Sequence, residues 1–154
     1  MYGNEDSIMI SNPVVTVGVP VHNGGLHLHA CLECLWTQTF EDIQVVIFEN
    51  CSTDCTLEIA NEYVEKDRRF SIKPSEELLP AADNFRRAIE YCSLQSEFFL
   101  LRAHDDTSDS EFIQFLWNSL QKNRKKELAV PSICYVRDGK FFDHTIDENI
   151  LNIK

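Results

Sequence analysis

Basic residues are scarce in this chain. Its 154 residues include 14 lysines and arginines against 25 aspartates and glutamates, which gives a net charge of -11. Nucleic acids and anionic membranes are bound by clustered basic side chains. The short basic cluster KNRKK, at 122–126, is typical of an exposed helix end, where the helix dipole favours cations. The charge balance therefore excludes the usual nucleic-acid-binding classes.

Long apolar runs are also missing. No stretch of the sequence approaches the ~20 apolar residues that span a bilayer. The opening MYGNEDSIMISNP lacks the basic start and apolar core of a signal peptide. We therefore expect a cytoplasmic protein with no transmembrane segment, reaching a membrane only peripherally through partners.

Several catalytic motifs are absent. The sequence has no glycine-lysine pattern of a phosphate-binding P-loop and no G-x-G-x-x-G after its first strand pattern. It also lacks the serine-hydrolase elbow and the H-E-x-x-H zinc motif. Mononucleotide hydrolysis, dinucleotide redox chemistry and these hydrolase mechanisms thus lose their main sequence signals.

Six cysteines are present, and without an export signal we interpret them as reduced thiols. Cys31 with Cys34, and Cys51 with Cys55, have spacings at which two thiolates can share a zinc ion. Both pairs fall within predicted elements, where small buried residues would serve equally well. Zinc remains the alternative interpretation.

Apolar β-branched segments alternate with amphipathic helical patterns along the chain. The first predicted strand covers 14–21, with Pro20 ending its hydrogen-bond ladder, and a helix at 26–38 and a strand at 43–48 follow. Further strands are predicted at FSIKPS, EFFLLRA and LAVPSICYV, and RDGK predicts a hairpin turn. The alternation predicts an α/β fold of three layers, with helices on both faces of a mostly parallel central sheet.

The length indicates one main domain. We predict a flexible leader at 1–13, a ligand-binding domain at 14–139 and a C-terminal extension at 140–154. Ligands of such sheets bind beyond the carboxyl ends of the strands, where this chain has PVHNGG, ENCSTD and AHDDTSD.

Polar side chains in the first two of these loops have the chemistry to bind a nucleotide. Glu49 directly follows a strand and could accept from a base or a ribose hydroxyl, while Asn50 can both donate and accept. His22 could stack on a nucleobase. The alternative is a solvated loop in front of a helix capped by 52–54.

Asp105 and Asp106 are adjacent carboxylates at a strand end, where their repulsion becomes favourable if a hard divalent cation compensates it. Few protein ligands with room for water and phosphate oxygens would suit Mg2+ or Mn2+ on a diphosphate. Alternatively, these aspartates and Asp109 cap the next helix. Ser108 and Glu111 also match a capping box for that helix.

Three segments together carry a family resemblance: VVTVGVPVHNGG, QTFEDIQVVIFENCSTDCTLEIANEY and NFRRAIEYCSLQSEFFLLRAHDD. In order and spacing they resemble the family 2 inverting glycosyltransferases of the GT-A fold, over residues 15–139. The resemblance implies a nucleotide-diphosphate sugar donor, Mg2+ or Mn2+ as cofactor, and inverting transfer to the hydroxyl of a glycan or lipid-linked acceptor. It also implies a place in polysaccharide or cell-envelope biosynthesis.

The resemblance carries roles over position by position. Asp105 and Asp106 fall on the metal motif, and Asp54 falls in a structural turn. The positions expected to bind the nucleotide sugar are Pro20, Val21, His22, Asn23, Glu49, Asn50, Asn84, Arg87, His104 and Asp105.

The chain also departs from the family pattern. His22 replaces the usual tyrosine, Asn50 a second acid, and Ala103 the first aspartate of Asp-x-Asp, although a subgroup of the family reads AHDD. Cys51 and Cys55 replace glycines, which weakens the zinc interpretation.

The general base and acceptor-binding half of the family lie beyond the position of Gly139. None of Asp143, His144, Asp147 and Glu148 matches the base motif. We therefore expect a C-terminally truncated fold with an incomplete acceptor half, from a shortened chain, a split or degenerate gene, or a module completed by another chain or a homo-oligomer. The alternatives are a non-catalytic nucleotide-sugar-binding or interaction module and an unrelated α/β interaction domain.

Overall fold

The structure is a computed structural model that describes residues 13–122 and the backbone of 133–137 and 140–144. The chain divides into two compact units, Met1–Phe112 and Ile113–Lys154. The domain boundaries given above from the sequence stay predictions.

The first unit is built on a sheet of four parallel strands, in the order β3-β2-β1-β4. The strands are β1 (Val15–Val21), β2 (Ile43–Glu49), β3 (Phe70–Ile72) and β4 (Phe98–Leu101). The connecting helices are α1 (Leu28–Trp36), α2 (Thr56–Lys66) and α3 (Ala81–Gln95). The chain thus adds β2 and β3 on one side of β1 and then returns to place β4 on the other side.

The helices lie on both faces of this sheet. Right-handed crossovers put α1 and α2 on one face, and the return to β4 puts α3 on the other. Accordingly, α1 packs with α2, while α3 packs on β1, β2 and β4. The predicted α/β class, with three layers around a parallel sheet, is confirmed.

The strand and helix patterns follow from burial. Every residue of β1 is buried, as expected for an uncharged strand covered on both faces. In α1, the buried residues include Leu28, Leu32 and Leu35, one helical face. A Cβ on Gly18 of β1 would lie 2.9 Å from Cys92 Sγ, so this glycine lets α3 pack closely.

The prediction that Pro20 ends the ladder of β1 was wrong for the pairing with β2. Pro20 lies opposite Phe48 within the strand, and the Asn50 N–H donates to the Val21 carbonyl beyond it. The backbone of Gly18, two residues earlier, faces β4, whose pairing ends at Leu101. The missing N–H of Pro20 therefore faces a position where β4 offers no acceptor.

The second unit contains α4 (Phe112–Lys122), which begins at the last residue of the first unit, and an antiparallel pair, β5 (Ile133–Arg137) and β6 (Lys140–His144). Arg137 lies opposite Lys140, which confirms the predicted hairpin, although its turn at 138–139 lies outside the described residues. The predicted fifth strand therefore pairs in a sheet of its own. None of the helices in the described part of the chain has the length and apolar character to cross a bilayer.

Candidate functional site

Three loops extend from the carboxyl ends of β1, β2 and β4, at the point where the strand order changes direction. We call them the first loop (22–25), the second loop (50–55) and the acidic loop (103–110). Parallel sheets bind ligands at such a point, because the loops on either side diverge and leave a crevice.

Asn23 ties the first loop to the second. Its backbone has a φ of 50°, a left-handed conformation that asparagine tolerates better than most residues. Its N–H donates to Ser52 Oγ at 3.0 Å, and its Oδ1 accepts from the Thr53 N–H at 2.8 Å. The side chain of this predicted ligand is thus part of the loop framework.

The glycines that follow continue this connection. The Gly24 N–H donates to Thr56 Oγ1 at 2.8 Å, and the Gly25 N–H donates to the Asp54 carboxylate at 2.9 Å. Asp54 also accepts from the Thr56 hydroxyl and N–H at the start of α2. The hydrogen bond from the Thr56 side chain, followed by that from Gly25, lowers the pKa of Asp54. Its structural role in the turn agrees with the sequence interpretation.

Glu49 folds the second loop over itself. The residue is 5% exposed, and its two carboxylate oxygens accept from the N–H groups of Cys51 at 3.2 Å and Ser52 at 2.6 Å. These bonds hold Cys51 at a φ of 53°, where the family pattern has glycine. The acid at the end of β2 therefore has an internal partner for each carboxylate oxygen.

Asn50 binds backbone on both sides. Its side-chain amide donates to the Leu79 carbonyl and accepts from the Leu79 N–H, both at 2.9 Å, and the residue is 2% exposed. Its own carbonyl accepts from His22 Nδ1 at 2.7 Å, which leaves His22 Nε2 to accept from the Asn23 amide at 3.2 Å. His22 itself is exposed.

The two predicted residues of α3 bind the strand ends beneath the loops. Arg87 donates to the carbonyls of Glu49 and Lys73 at 3.2 Å and of Pro74 at 3.3 Å, and burial lowers its pKa. Asn84 Nδ2 donates to the Phe48 carbonyl at 3.0 Å. Within the described residues, the buried Asn84 Oδ1 and Arg87 Nε have no hydrogen-bond partner.

The acidic loop leaves the carboxylates of Asp105 and Asp106 unengaged. The Asp106 N–H donates to the Ala103 carbonyl at 3.1 Å, which makes a turn, and the side chains of Asp105 and Asp106 are exposed. Within the described part of the chain, neither carboxylate takes part in a hydrogen bond or ion pair. A Cβ on Gly24 would lie 2.7 Å from His104 Cδ2, so this glycine brings the first loop against the acidic loop.

The predicted capping box before α4 was wrong. Ser108 Oγ accepts from Arg102 Nη2 at 2.9 Å, while the Asp109 carboxylate accepts from the Glu111 N–H at 2.9 Å. The buried guanidinium of Arg102 takes the serine hydroxyl, so the cap falls to Asp109. Of the three aspartates considered as caps, Asp109 alone serves in this way among the described residues.

The donor set is compatible with a hard cation. No group of three or more histidine, cysteine, aspartate or glutamate side chains comes together in the described residues. Asp105 and Asp106 would thus supply two oxygen ligands, and water and phosphate oxygens would supply the rest, as Mg2+ commonly requires. By contrast, burial raises the pKa of Cys31 to about 12, which disfavours the thiolate that zinc needs.

Of the predicted site, Pro20 and Val21 are buried in β1, and the other residues lie at the end of β2, in the first, second and acidic loops and on α3. Their roles in ligand binding stay predictions. Sequence reasoning missed Arg102, which lies between an apolar strand and the acidic loop and is 6% exposed. A lone charge at the end of an apolar run was the available signal.

Comparisons with known proteins identify the family of this chain. The family model described as glycosyl transferase family 2 matches residues 16–152. The glycosyltransferase GlyA of Streptococcus pneumoniae is 26% identical over 144 residues, which cover 92% of this chain and 20% of GlyA. The glycosyltransferase GlyG of the same species is 26% identical over 109 residues, covering 71% of this chain and 36% of GlyG.

Solved structures show the same fold. S. aureus TarS, also solved with UDP and with UDP-GlcNAc, matches with a TM-score of 0.65 and 24% identity over 71% of this chain and 33% of that one. The mannosyltransferase PcManGT from Pyrobaculum calidifontis, solved with GDP-Man and Mn2+, matches with a TM-score of 0.55 and 20% identity over 64% of this chain and 29% of that one.

This chain spans a fifth of the length of GlyA and about a third of GlyG and TarS. The resemblance and the GT-A fold expected from the sequence are confirmed, and the chain belongs to glycosyl transferase family 2.

Proposed function

We propose that this chain binds a nucleotide-diphosphate sugar, with Mg2+ or Mn2+, for inverting transfer of the sugar to an acceptor hydroxyl. The observation that carries the proposal is the pair of exposed carboxylates, Asp105 and Asp106, beside the crevice where the strand order changes direction. By contrast, Asp54 accepts a hydrogen bond from the Thr56 hydroxyl, and Asp67 forms an ion pair with Arg69. The two acidic-loop carboxylates are free to bind a ligand.

Asp105 and Asp106 would hold the ion through their carboxylate oxygens. The bound ion would stabilise the negative charge that develops on the leaving diphosphate. His22 presents an exposed ring beside the crevice, which could stack on a base. Asn84 offers a buried oxygen without a partner in the described residues, which suits a donor group of the nucleotide.

Glu49, Asn50 and Arg87 would act in this proposal by shaping the crevice. Their polar atoms hold the second loop, the backbone at Leu79 and the ends of β2 and β3. Because these atoms are preorganised by hydrogen bonds, the crevice needs little rearrangement when a donor binds.

The complexes of TarS with UDP and UDP-GlcNAc, and of PcManGT with GDP-Man and Mn2+, support nucleotide sugars as the ligand class. The acceptor, the general base and a cytoplasmic location, at a membrane only through partners, belong to the proposal as expected from the family. A base is needed within hydrogen-bond reach of the attacking hydroxyl.

Thermal unfolding with UDP, GDP and dTDP, each in Mn2+ and in EDTA, tests the proposal. A nucleotide at a hundred times its dissociation constant should stabilise the fold by about 2.7 kcal/mol, and only when Mn2+ is present. Release of nucleotide from a sugar donor then separates transfer from binding. Stabilisation without turnover would favour a binding module, and no response to any nucleotide would refute the proposal.

A further inference from the structure

A buried cation lies at the base of the acidic loop. Arg102 directly follows β4 and is 6% exposed, and its N–H donates to the Gly18 carbonyl at 2.9 Å, continuing the sheet ladder. In the described part of the chain, no carboxylate lies within ion-pair distance of its guanidinium. A buried charge without an ionic partner is costly. The other contacts of Arg102 must therefore compensate part of this cost.

Those contacts join the residue before the acidic loop to a residue near the end of the loop. Arg102 Nη2 donates to Ser108 Oγ at 2.9 Å, and the guanidinium carbon lies 4.7 Å from the centre of the Phe112 ring. The hydrogen bond joins residues six positions apart. Between them lie Asp105 and Asp106, which carry the unengaged carboxylates.

Both ends of the acidic loop are fixed by α1 and the residues after it. Cys31 Sγ donates to the Ala103 carbonyl at 3.5 Å at the beginning of the loop. At its end, Gln38 Nε2 donates to the Asp109 carbonyl at 2.7 Å, and the Thr39 N–H donates to the Ser110 carbonyl at 2.9 Å. The Asp106 N–H bond to the Ala103 carbonyl forms a turn within the loop, and the Arg102 bond to Ser108 acts across the segment that carries the carboxylates.

We propose that Arg102 is a positioning residue, which acts through Ser108 to fix the loop curvature that presents Asp105 and Asp106 to a divalent cation. The inference rests on the proposed function. It assigns a role in metal binding to a residue that would not touch the metal, the nucleotide or the sugar. A preorganised loop binds a cation more tightly, because less conformational freedom is lost on binding.

The positive charge of Arg102 and its hydrogen bond to Ser108 are expected to have opposite effects on cation binding. A guanidinium near a cation site repels the cation, since like charges are disfavoured at short range. Arg102 lies three residues before Asp105 in the chain and bonds to Ser108, two residues after Asp106, so its charge belongs to the same loop segment. A test must therefore remove the Ser108 bond without removing the positive charge.

Ser108→Ala makes that separation, and Ser110→Ala is its matched control. Both serines lie in the acidic loop and are partly buried, but Ser110 contributes only its carbonyl to the hydrogen bonds above. The measurement is the Mn2+ concentration at half-maximal thermal stabilisation, with the best nucleotide diphosphate of the UDP, GDP and dTDP panel at saturation. The melting temperature in EDTA reports any purely structural loss.

We expect Ser108→Ala to raise the Mn2+ midpoint about tenfold, the order of one hydrogen bond to a charged group. Ser110→Ala should stay within about twofold of wild type, as expected for a surface change away from the contact. Ser108→Thr, which keeps the hydroxyl, should restore most of the affinity. A structural role alone would lower the melting temperature of Ser108→Ala in EDTA and leave the Mn2+ midpoint unchanged, which would overturn the inference.

Arg102→Met removes the bond and the charge together. We expect it also to raise the Mn2+ midpoint, because the loss of geometry outweighs the loss of repulsion. A lower midpoint in Arg102→Met, with Ser108→Ala unchanged, would show that the arginine acts by charge and would contradict the proposal. If Arg102→Met does not fold, the Mn2+ midpoints of the serine variants alone test the inference.

A wild-type protein without any Mn2+-dependent response would refute the proposed function and this inference together. A normal wild-type response with an unchanged Mn2+ midpoint in Ser108→Ala would refute this inference alone.

Discussion

The second loop and the acidic loop both follow strands of the parallel sheet, and both carry acids, but they use them differently. At the start of the second loop, Glu49, the last residue of β2, is buried and each of its carboxylate oxygens accepts a backbone N–H. In the acidic loop, Asp105 and Asp106 are exposed and unengaged within the described residues. The difference separates an acid that builds the site from acids that are available to a ligand.

The same distinction applies to the other predicted site residues. Asn23, Asn50 and Arg87 direct their polar atoms at the protein's own backbone. His22 is exposed, and the Asn84 Oδ1 has no partner among the described residues. The comparison predicts two kinds of variant: those that lose stability, and those that keep stability and lose ligand binding.

The largest loss is expected for Asn50→Ala. Both hydrogen bonds to the Leu79 backbone disappear, and two partly buried backbone groups lose their partner. We expect the free energy of unfolding to fall by about 2–4 kcal/mol, as measured by urea denaturation. Asn61→Ala, an exposed asparagine of α2, is the control and should change stability by less than about 0.5 kcal/mol. Equal effects of the two changes would contradict a structural role for Asn50.

Gly24→Ala should have the next largest effect. Its new methyl group would lie 2.5 Å from Val21 Cγ2 and 2.7 Å from His104 Cδ2. Overpacking of this kind costs about 1–3 kcal/mol, again measurable by urea denaturation. Adding His104→Ala should recover part of the loss, because it removes one of the two clashes. A strictly additive double variant would mean that the first loop and the acidic loop do not contact each other here.

Asp54→Asn is expected to make the free energy of unfolding less dependent on pH in the acid range. Hydrogen bonds from Thr56 and Gly25 lower the pKa of Asp54 in the folded protein, so its carboxylate stabilises the fold above the ordinary aspartate pKa. That contribution disappears as the pH falls through the lowered pKa. The difference in unfolding free energy between wild type and Asp54→Asn should therefore be constant near neutral pH and shrink below about pH 4. Urea denaturation at a series of pH values measures it, and a difference independent of pH would contradict the assignment.

Asp106→Asn should hardly affect stability, because the side chain is exposed and has no partner in the described residues. We expect a change of less than about 0.5 kcal/mol in unfolding free energy, but complete loss of the Mn2+-dependent response to nucleotide. Asp109→Asn is the matched control in the same loop, since asparagine keeps the helix cap. Unchanged Mn2+ dependence in Asp106→Asn would refute the metal assignment.

Much of the fold could be predicted from the sequence, because its elements are set by local pattern. Uncharged β-branched runs such as β1 indicated buried parallel strands, and Leu28, Leu32 and Leu35 marked the buried face of α1. The hairpin of β5 and β6 followed from its turn residues. That these two strands pair apart from the parallel sheet depends on long-range pairing, which no local pattern records.

The capping-box error and the internal partners of Glu49 and Asn50 have a common physical origin, while the ligand-binding roles of those two residues stay predictions. Ser108 has the right spacing for a capping box, but its hydroxyl accepts a hydrogen bond from the buried guanidinium of Arg102. Glu49 and Asn50 have the chemistry of ligand-binding residues, yet the backbone of their own loop and of Leu79 supplies their partners. Residue type identifies where polar chemistry is concentrated, but only the folded geometry shows which polar atoms are already used.

Paramagnetic broadening by Mn2+ tests the central claim most directly. In 1H–15N spectra with UDP, trace Mn2+ should first broaden the backbone amides of the acidic loop and then those of the first loop. Amides at the opposite end of the sheet, at Glu41 and Arg68, border another groove that also contains acids, and they should stay sharp. Broadening that begins at Glu41 and Arg68, or that is equally strong in Asp106→Asn, would contradict a divalent-cation site at Asp105 and Asp106.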